Sequence, residues 1–176
     1  MELDELIKDC SQKQKKGMHF IVASIVIWAL ILAVHLTDLT MEQKDIFTFC
    51  CSAVLFPLAW GLSKVLKIDF EGKGNPLSKA GILFSVNQML YILIAMWVLS
   101  AVPEKMLMVY AMIFGAHLMP FSWLYRSRSY MVFSIIIPLL SLIIGLMYPP
   151  YVLAALMMMI EAVFSICLYM ECRKLF

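Results

Sequence analysis

Glu161 is the acidic residue that falls deep inside a long apolar run, Tyr151–Met170. It lies about ten residues from each end of that run, hence roughly 15 Å from each interface at 1.5 Å per residue of helix. Holding a charge there costs about 2.5–3.5 kcal/mol even on lenient insertion scales. Protonation, or a partner inside the protein, is the cheapest remedy. The residues Tyr151, Ala154, Met158, Glu161, Ala162, Ser165 and Tyr169 recur at helical spacing, small and polar, while Leu156, Ile160, Val163 and Phe164 occupy the rest. That spacing predicts an inward stripe. Two roles fit Glu161: a site for a proton, a cation or a substrate amine, and a protonated carboxyl that joins helices by a hydrogen bond.

His117 stands near the middle of another apolar run, three residues before Pro120. Proline there leaves the Ala116 carbonyl without its helical donor. A kinked helix with a midplane imidazole suits a binding cavity, and a lone buried histidine also suits plain packing. At the depth of Glu161 it is the expected partner for sharing a proton. Asn87, Gln88 and Tyr91, with Ser85, give a third run two polar edges. Amides in hydrocarbon need partners, so these line an inner vestibule of the same cavity or join helices.

Other chemistry finds little support. There is no Gly-x-Ser-x-Gly, no His-Glu-x-x-His and no second deep histidine or acid, so an intramembrane enzyme is the weaker reading and no catalytic residue is assigned. Fifteen methionines, including Met157-Met158-Met159, read as adaptable packing rather than a soft-metal path. No metal and no cofactor is expected. The five cysteines, Cys10, Cys50, Cys51, Cys167 and Cys172, contain no C-x-x-C pair and read as free thiols.

The elements that must position these residues follow from composition. With 63% hydrophobic and 15% charged residues, against roughly 45–50% and 25% in soluble domains, the chain is an all-α integral membrane protein. About 20 apolar residues cross a hydrocarbon core, and six such runs occur: 18–36, 46–63, 80–102, 106–125, 130–147 and 151–170. The first is longer than a signal-peptide core and lacks a small-x-small cleavage site, so it is expected to be retained. Cytoplasmic loops collect Lys and Arg. With the N-terminus inside, twelve of the fourteen Lys and Arg fall inside, leaving Lys44 and Lys105 outside. Both termini are therefore expected in the cytoplasm, and nothing points to nucleic acid.

Short connections make sequence neighbours antiparallel in space. Residues 1–17 form a cytoplasmic segment in which Leu3, Leu6, Ile7 and Cys10 have amphipathic helical spacing, 18–171 the membrane domain, and 172–176 a cytoplasmic tail. The 64–79 loop reads as turns, with Ser78 as the N-cap of the third span. Leu55-Phe56-Pro57-Leu58-Ala59-Trp60 in the second run echoes Leu118-Met119-Pro120-Phe121-Ser122-Trp123 in the fourth, and Trp28-Ala29-Leu30 echoes Trp97-Val98-Leu99. A repeated two-helix hairpin or chance matching accounts for this. Ala29-xxx-Ala33 and Ala111-xxx-Gly115 would let helices approach closely.

The stretches Lys67-Ile68-Asp69-Phe70, Asn75-Pro76-Leu77, Asn87-Gln88-Met89-Leu90-Tyr91, Ala101-Val102-Pro103-Glu104-Lys105 and Gly115-Ala116-His117-Leu118 resemble a family of uncharacterised six-helix membrane proteins of Gram-positive bacteria. That resemblance implies a bacterial plasma-membrane location and carries no function with it. In size and helix number the chain is also similar to the substrate-binding subunits of energy-coupling-factor vitamin transporters, whose first helix uses an Ala-xxx-Ala that Ala29 and Ala33 would match. No vitamin-binding motif accompanies it.

The leading expectation is a small permease or substrate-binding transporter subunit. Its cavity would lie between the third, fourth and sixth spans, with Glu161 at the centre, His117 as partner and Asn87, Gln88 and Tyr91 as polar contacts. A non-catalytic assembly protein is the rival. Expected partners are the lipid bilayer, a small molecule or proton, and a second copy or another membrane subunit.

Overall fold

The computed structural model describes residues 2–70, 72 and 74–175. Glu71 and Lys73 of the 64–79 loop lie outside them. The regular structure of the described residues is all helical, with no strand among them. Six helical stretches are long and apolar enough to cross a membrane: Lys15–His35, Met41–Val65, Leu77–Ala101, Pro103–Leu124, Arg128–Met147 and Pro150–Arg173. Their outward residues are mostly Leu, Ile, Val and Met, as hydrocarbon contact requires.

Two of the six are broken in their hydrogen-bond ladder, while the backbone at Val54, His117 and Leu118 stays in the right-handed helical region. The helices in chain order are α1 (Leu3–Lys13), α2 (Met18–His35), α3 (Met41–Ala53), α4 (Leu55–Val65), α5 (Leu77–Ala101), α6 (Met106–Ala116), α7 (Met119–Leu124), α8 (Arg128–Met147) and α9 (Pro150–Arg173). The second span is α3 and α4 parted at Val54, and the fourth is α6 and α7 parted at His117-Leu118. In each, the break comes just before a proline, Pro57 or Pro120, whose missing N–H removes a bond from the preceding turn.

Polar caps lengthen the spans beyond their apolar runs. Thr40 and Gln43 form a reciprocal capping box, so α3 begins at Met41, well ahead of Ile46, and takes Asp45 into the helix. At the start of α5 the sequence pointed to Ser78, but Asn75 Oδ1 accepts the Leu77 N–H at 2.9 Å. The Ser78 hydroxyl instead donates to the Gly72 carbonyl at 3.0 Å.

α2 is central, packing on α9 most extensively and then on α4 and α3; α6 packs on α8, and α5 covers α6 and α7. The Ala111-xxx-Gly115 spacing marks a close approach of α6 to α8, since a Cβ on Gly115 would meet Ile137 and Pro138 at 2.6 Å. Ala33 faces outward and Ala29 is half-buried. The buried face of α2 is Ala23, Ser24, Ile27, Trp28 and Ile31.

α1 does not lie free on a surface. It is folded back beneath the bundle by Lys15, Lys16 and Gly17, all with positive φ. Non-glycine residues there cost about 1–2 kcal/mol each. Contacts across the turn offset this: Lys15 Nζ donates to the Leu66 carbonyl at 2.6 Å and Tyr130 Oη to the Lys16 carbonyl at 2.9 Å. Ile7, Cys10 and Ser11 of α1 are buried. Asn75 Nδ2 donates to Leu6 O at 2.8 Å and to Asp9 Oδ2 at 2.9 Å, and Gln12 Nε2 donates to Leu175 O at 2.9 Å. α1 thus ties both chain ends to one face, the terminal face.

Candidate functional site

Glu161 is wholly buried in the seam between α9 and α2. Its Oε2 lies 2.6 Å from Ser24 Oγ, and the same hydroxyl lies 2.7 Å from the Ile21 carbonyl. A serine has one hydroxyl proton. If Ser24 gives it to the carbonyl, Glu161 must donate to Ser24 and so be protonated; an ionised Glu161 would take that proton and leave the carbonyl without it. Glu161 Oε1 and Ser165 Oγ, one turn further along α9, are buried with no hydrogen-bond partner. The surroundings are greasier than the expected stripe: Met157, Ile160, Phe164 and Leu168 share the buried face, while Tyr151 and Tyr169 are exposed. The large apolar side chains turn inward because α9 is clasped by α2 and α8.

The structure does not bring the five expected site residues together. His117 is half-buried at the α6–α7 break and its Nδ1 bonds the Phe114 carbonyl of its own helix, between the rings of Phe114 and Phe121. Asn87 and Tyr91 are exposed on α5, the least buried span, where Asn87 Nδ2 donates to Tyr91 Oη at 3.0 Å. Gln88 is half-buried on the same helix. α5 packs on α6 and α7, whereas Glu161 is held by α2. Hollows of about 450 and 360 Å³ open on the terminal face, beside Glu171 and α1, away from Glu161.

Two polar clusters escaped the sequence reading. At the terminal face Glu171 gathers four donors: Lys16 Nζ at 2.7 Å, Ser127 Oγ at 2.7 Å, Ser129 Oγ at 2.6 Å and Ser129 N at 2.8 Å. Lys16 is 5% exposed, so this knot fastens the α1–α2 turn, the start of α8 and the end of α9 to one another. In α1, hydrogen bonds from Lys13 and Asn75 hold the Asp9 carboxyl below its ordinary range, and burial pushes the Cys10 thiol up to about 11. Cys10 is therefore an inert packing residue; all five cysteines are free thiols.

At the opposite face, α3 turns Asp45, Thr48 and Ser52 inward. Asp45 and Thr48 are fully buried, and neither Asp45 oxygen has a partner. Thr48 Oγ1 lies 3.2 Å from His35 Nε2, and Ser52 Oγ lies 2.6 Å from Tyr110 Oη of α6. The i, i+3, i+7 spacing of Asp45, Thr48 and Ser52 was legible. It was missed because the apolar run starts at Ile46, which left Asp45 in a loop.

No curated protein and no solved structure matches the chain. A family model does, over residues 3–171, from the first residue of α1 to Glu171 of the terminal-face knot. A membrane-type bundle of six apolar spans, with an amphipathic helix docked beneath it, is what that match encompasses. The chain belongs to the family of unknown function DUF7010.

Proposed function

We propose that the chain is a multi-pass protein of the bacterial plasma membrane, with both termini cytoplasmic, acting as a small permease or substrate-binding transporter subunit whose ionisable centre is Glu161. The observation that carries the reading is the pair of broken spans. Interruptions at corresponding places in two segments are the sequence-level pointer to transporter binding sites. Here both breaks precede the proline of the same six-residue motif. The two copies also share an exposure pattern: Phe56 and Met119 outward, Ala59 and Ser122 buried, Trp60 and Trp123 each 51% exposed. Repeated hairpins account for this agreement. α2 contacts both halves of the broken second span and also holds Glu161 through Ser24. A shift at the Val54 break is thereby passed to the seam that holds the carboxyl, and one at the α6–α7 break reaches α2 through Phe114, whose ring packs on Trp28.

The assembly reading has its own observation, the Asn87–Tyr91 pair on the exposed side of α5. Amides at that depth are better served by a neighbouring protein, a second copy or another subunit, than by lipid. One experiment separates the two readings. Thermal unfolding of the purified protein is followed against a panel of amines, amino acids and vitamins at several pH values, with Glu161→Gln in parallel. A permease gives a ligand-dependent rise in Tm that Glu161→Gln loses while remaining folded. No shift with any compound, together with a stable copurifying membrane partner, would replace transport by assembly. Copurification with an ATPase pair would specify a transporter subunit.

A further inference from the structure

Polar side chains form a column through one half of the bundle. On α2 the buried face runs His35, Ile31, Trp28, Ser24 from the end opposite the terminal face toward the middle. On α3, Asp45, Thr48 and Ser52 run beside it, linked by His35 Nε2 to Thr48 Oγ1, by Ser52 Oγ to the Thr48 carbonyl at 2.7 Å, and by Ser52 Oγ to Tyr110 Oη. Below Tyr110 the column stops at Trp28, 1% exposed, whose ring packs on Tyr110 and Phe114 with centroids 6.0 and 5.9 Å away. The next polar group along α2 is Ser24, four residues or about 6 Å below Trp28, and it bonds Glu161.

The outer end of this column, closed over the fully buried Asp45, is acidic and short of cations. Lys44 Nζ donates to the His35 carbonyl at 3.3 Å and Lys105 Nζ to the Gly145 carbonyl at 2.9 Å. Both lysines of that face thus cap the C-terminal ends of helices. Near Asp45 stand Lys44 of its own helix, whose Nζ bonds the His35 carbonyl, and Glu104 on the Pro103–Lys105 turn packed against α3, while His35 Nε2 faces Thr48 one turn along. None of them donates a hydrogen bond to the Asp45 carboxylate, and leaving it charged and unpaired in a buried site costs several kcal/mol.

We propose that this column is an access route for protons from the face opposite the termini to Glu161, with Asp45 the outer acceptor and Trp28 the plug that closes it. It rests on the reading of Glu161 as the ionisable centre. Asp45 carboxylate takes a proton from hydronium, releasing water. When Trp28 leaves the seam, water fills the gap between Tyr110 and Ser24, and the proton passes to an ionised Glu161, restoring an ionised Asp45. Around Glu161 the facing groups are Ser24 of α2 and Ser165 of α9, with Tyr130 of α8 packed on the neighbouring Phe164.

The test uses the full chain, first without cysteines and then with single reporters. Ser52→Cys, above the plug, should react with an impermeant thiol reagent from the side that labels Glu42→Cys. Ser24→Cys, below it, should stay silent until Trp28→Leu is added. In proteoliposomes with a trapped pH dye and an imposed pH gradient, Trp28→Leu should leak protons several-fold faster than the unaltered protein. Adding Asp45→Asn should abolish the excess. Trp28→Phe, which keeps an aromatic ring, is the second variant if Trp28→Leu elutes as aggregate, and should give a smaller leak with the same dependence on Asp45. A leak indifferent to Asp45→Asn overturns the route. So does a folded Trp28 variant with no leak and a silent Ser24→Cys. A leak that needs Asp45, beside a ligand panel without response, leaves the route standing and removes the permease reading instead.

Discussion

A buried carboxylic acid and a buried carboxylate look alike in sequence, and only the neighbouring protons tell them apart. Among the described residues Glu161 has one hydrogen-bond partner, Ser24, whose hydroxyl also reaches the Ile21 carbonyl. A neutral side chain of the same shape should therefore serve nearly as well. Glu161→Gln is expected to keep the fold, its amide donating to Ser24 Oγ. Glu161→Leu should lose roughly 1–2 kcal/mol for the interhelical hydrogen bond, read from unfolding in mild detergent. Because the two side chains act as one unit, Ser24→Ala should add little once Glu161→Leu is present, whereas His117→Ala should add its full effect. Full additivity between Ser24 and Glu161 would show that the 2.6 Å contact contributes nothing to stability. The depth of Glu161 was legible from spacing alone, but its partner was not. Ser24 is an unremarkable serine in an apolar run, and nothing in a single sequence says that α9 lies against α2 rather than against α6.

Asp9 poses a simpler residue-scale question, because it lies outside the spans. Its carboxyl is held below the ordinary carboxylate range by Lys13 and Asn75. A group depressed on folding stabilises the fold above its unfolded value and loses that contribution as pH falls through the folded one. The grip of Asp9 on Asn75 should thus be constant from neutral pH down to the ordinary carboxylate range and weaken only in stronger acid. Amide exchange within α1, compared with Asp9→Asn, reads this directly: loosening of α1 at mildly acidic pH would contradict it.

At the scale of elements, the apolar runs locate spans well and helix ends poorly. Hydrocarbon thickness fixes the first, whereas caps such as Thr40–Gln43 and Asn75 fix the second. Packing is legible where glycine permits contact, and two glycines test how rigid that contact is. A Cβ at Gly115 would meet the β-branched Ile137 and the ring of Pro138, while one at Gly145 would meet Met108 Cγ at 2.4 Å. Met108 Cγ can turn away through its own torsion, but Met108 Cβ, 2.6 Å from the added atom, is fixed by its backbone, so neither contact clears without moving α6 against α8. Gly145→Ala should be destabilising by about 1–3 kcal/mol from the clash, less about 1 kcal/mol gained in helix propensity. Gly115→Ala should be destabilising by about 1–3 kcal/mol. No fall in the unfolding midpoint at either position would mean that α6 and α8 are free to separate.

For the whole molecule, the amphipathic helix α1 turns a charge pattern into a testable orientation. Its Asp4 pairs with Arg126 and its Asp9 with Lys13, while Lys16 is fastened to Glu171. The terminal face therefore holds three of its cations in ion pairs, and Gln12 of α1 bonds the Leu175 carbonyl near the other chain end. Among the described residues, Lys44 and Lys105 are the only Lys or Arg on the opposite face, and both cap carbonyls. Cationic segments resist translocation, so the terminal face should stay in the cytoplasm. On a background without cysteines, single cysteines at Glu42 and Glu104 should react with an impermeant reagent applied to intact cells. A cysteine at Ser127 should react only in inverted vesicles. Because Ser127 is 3% exposed and donates to Glu171, slow labelling there would speak of burial, and exposed Lys8 supplies the check from α1. Labelling of Lys8→Cys from outside intact cells, with Glu42→Cys silent, would invert the molecule. The acidic end at Asp45 would then face the cytoplasm.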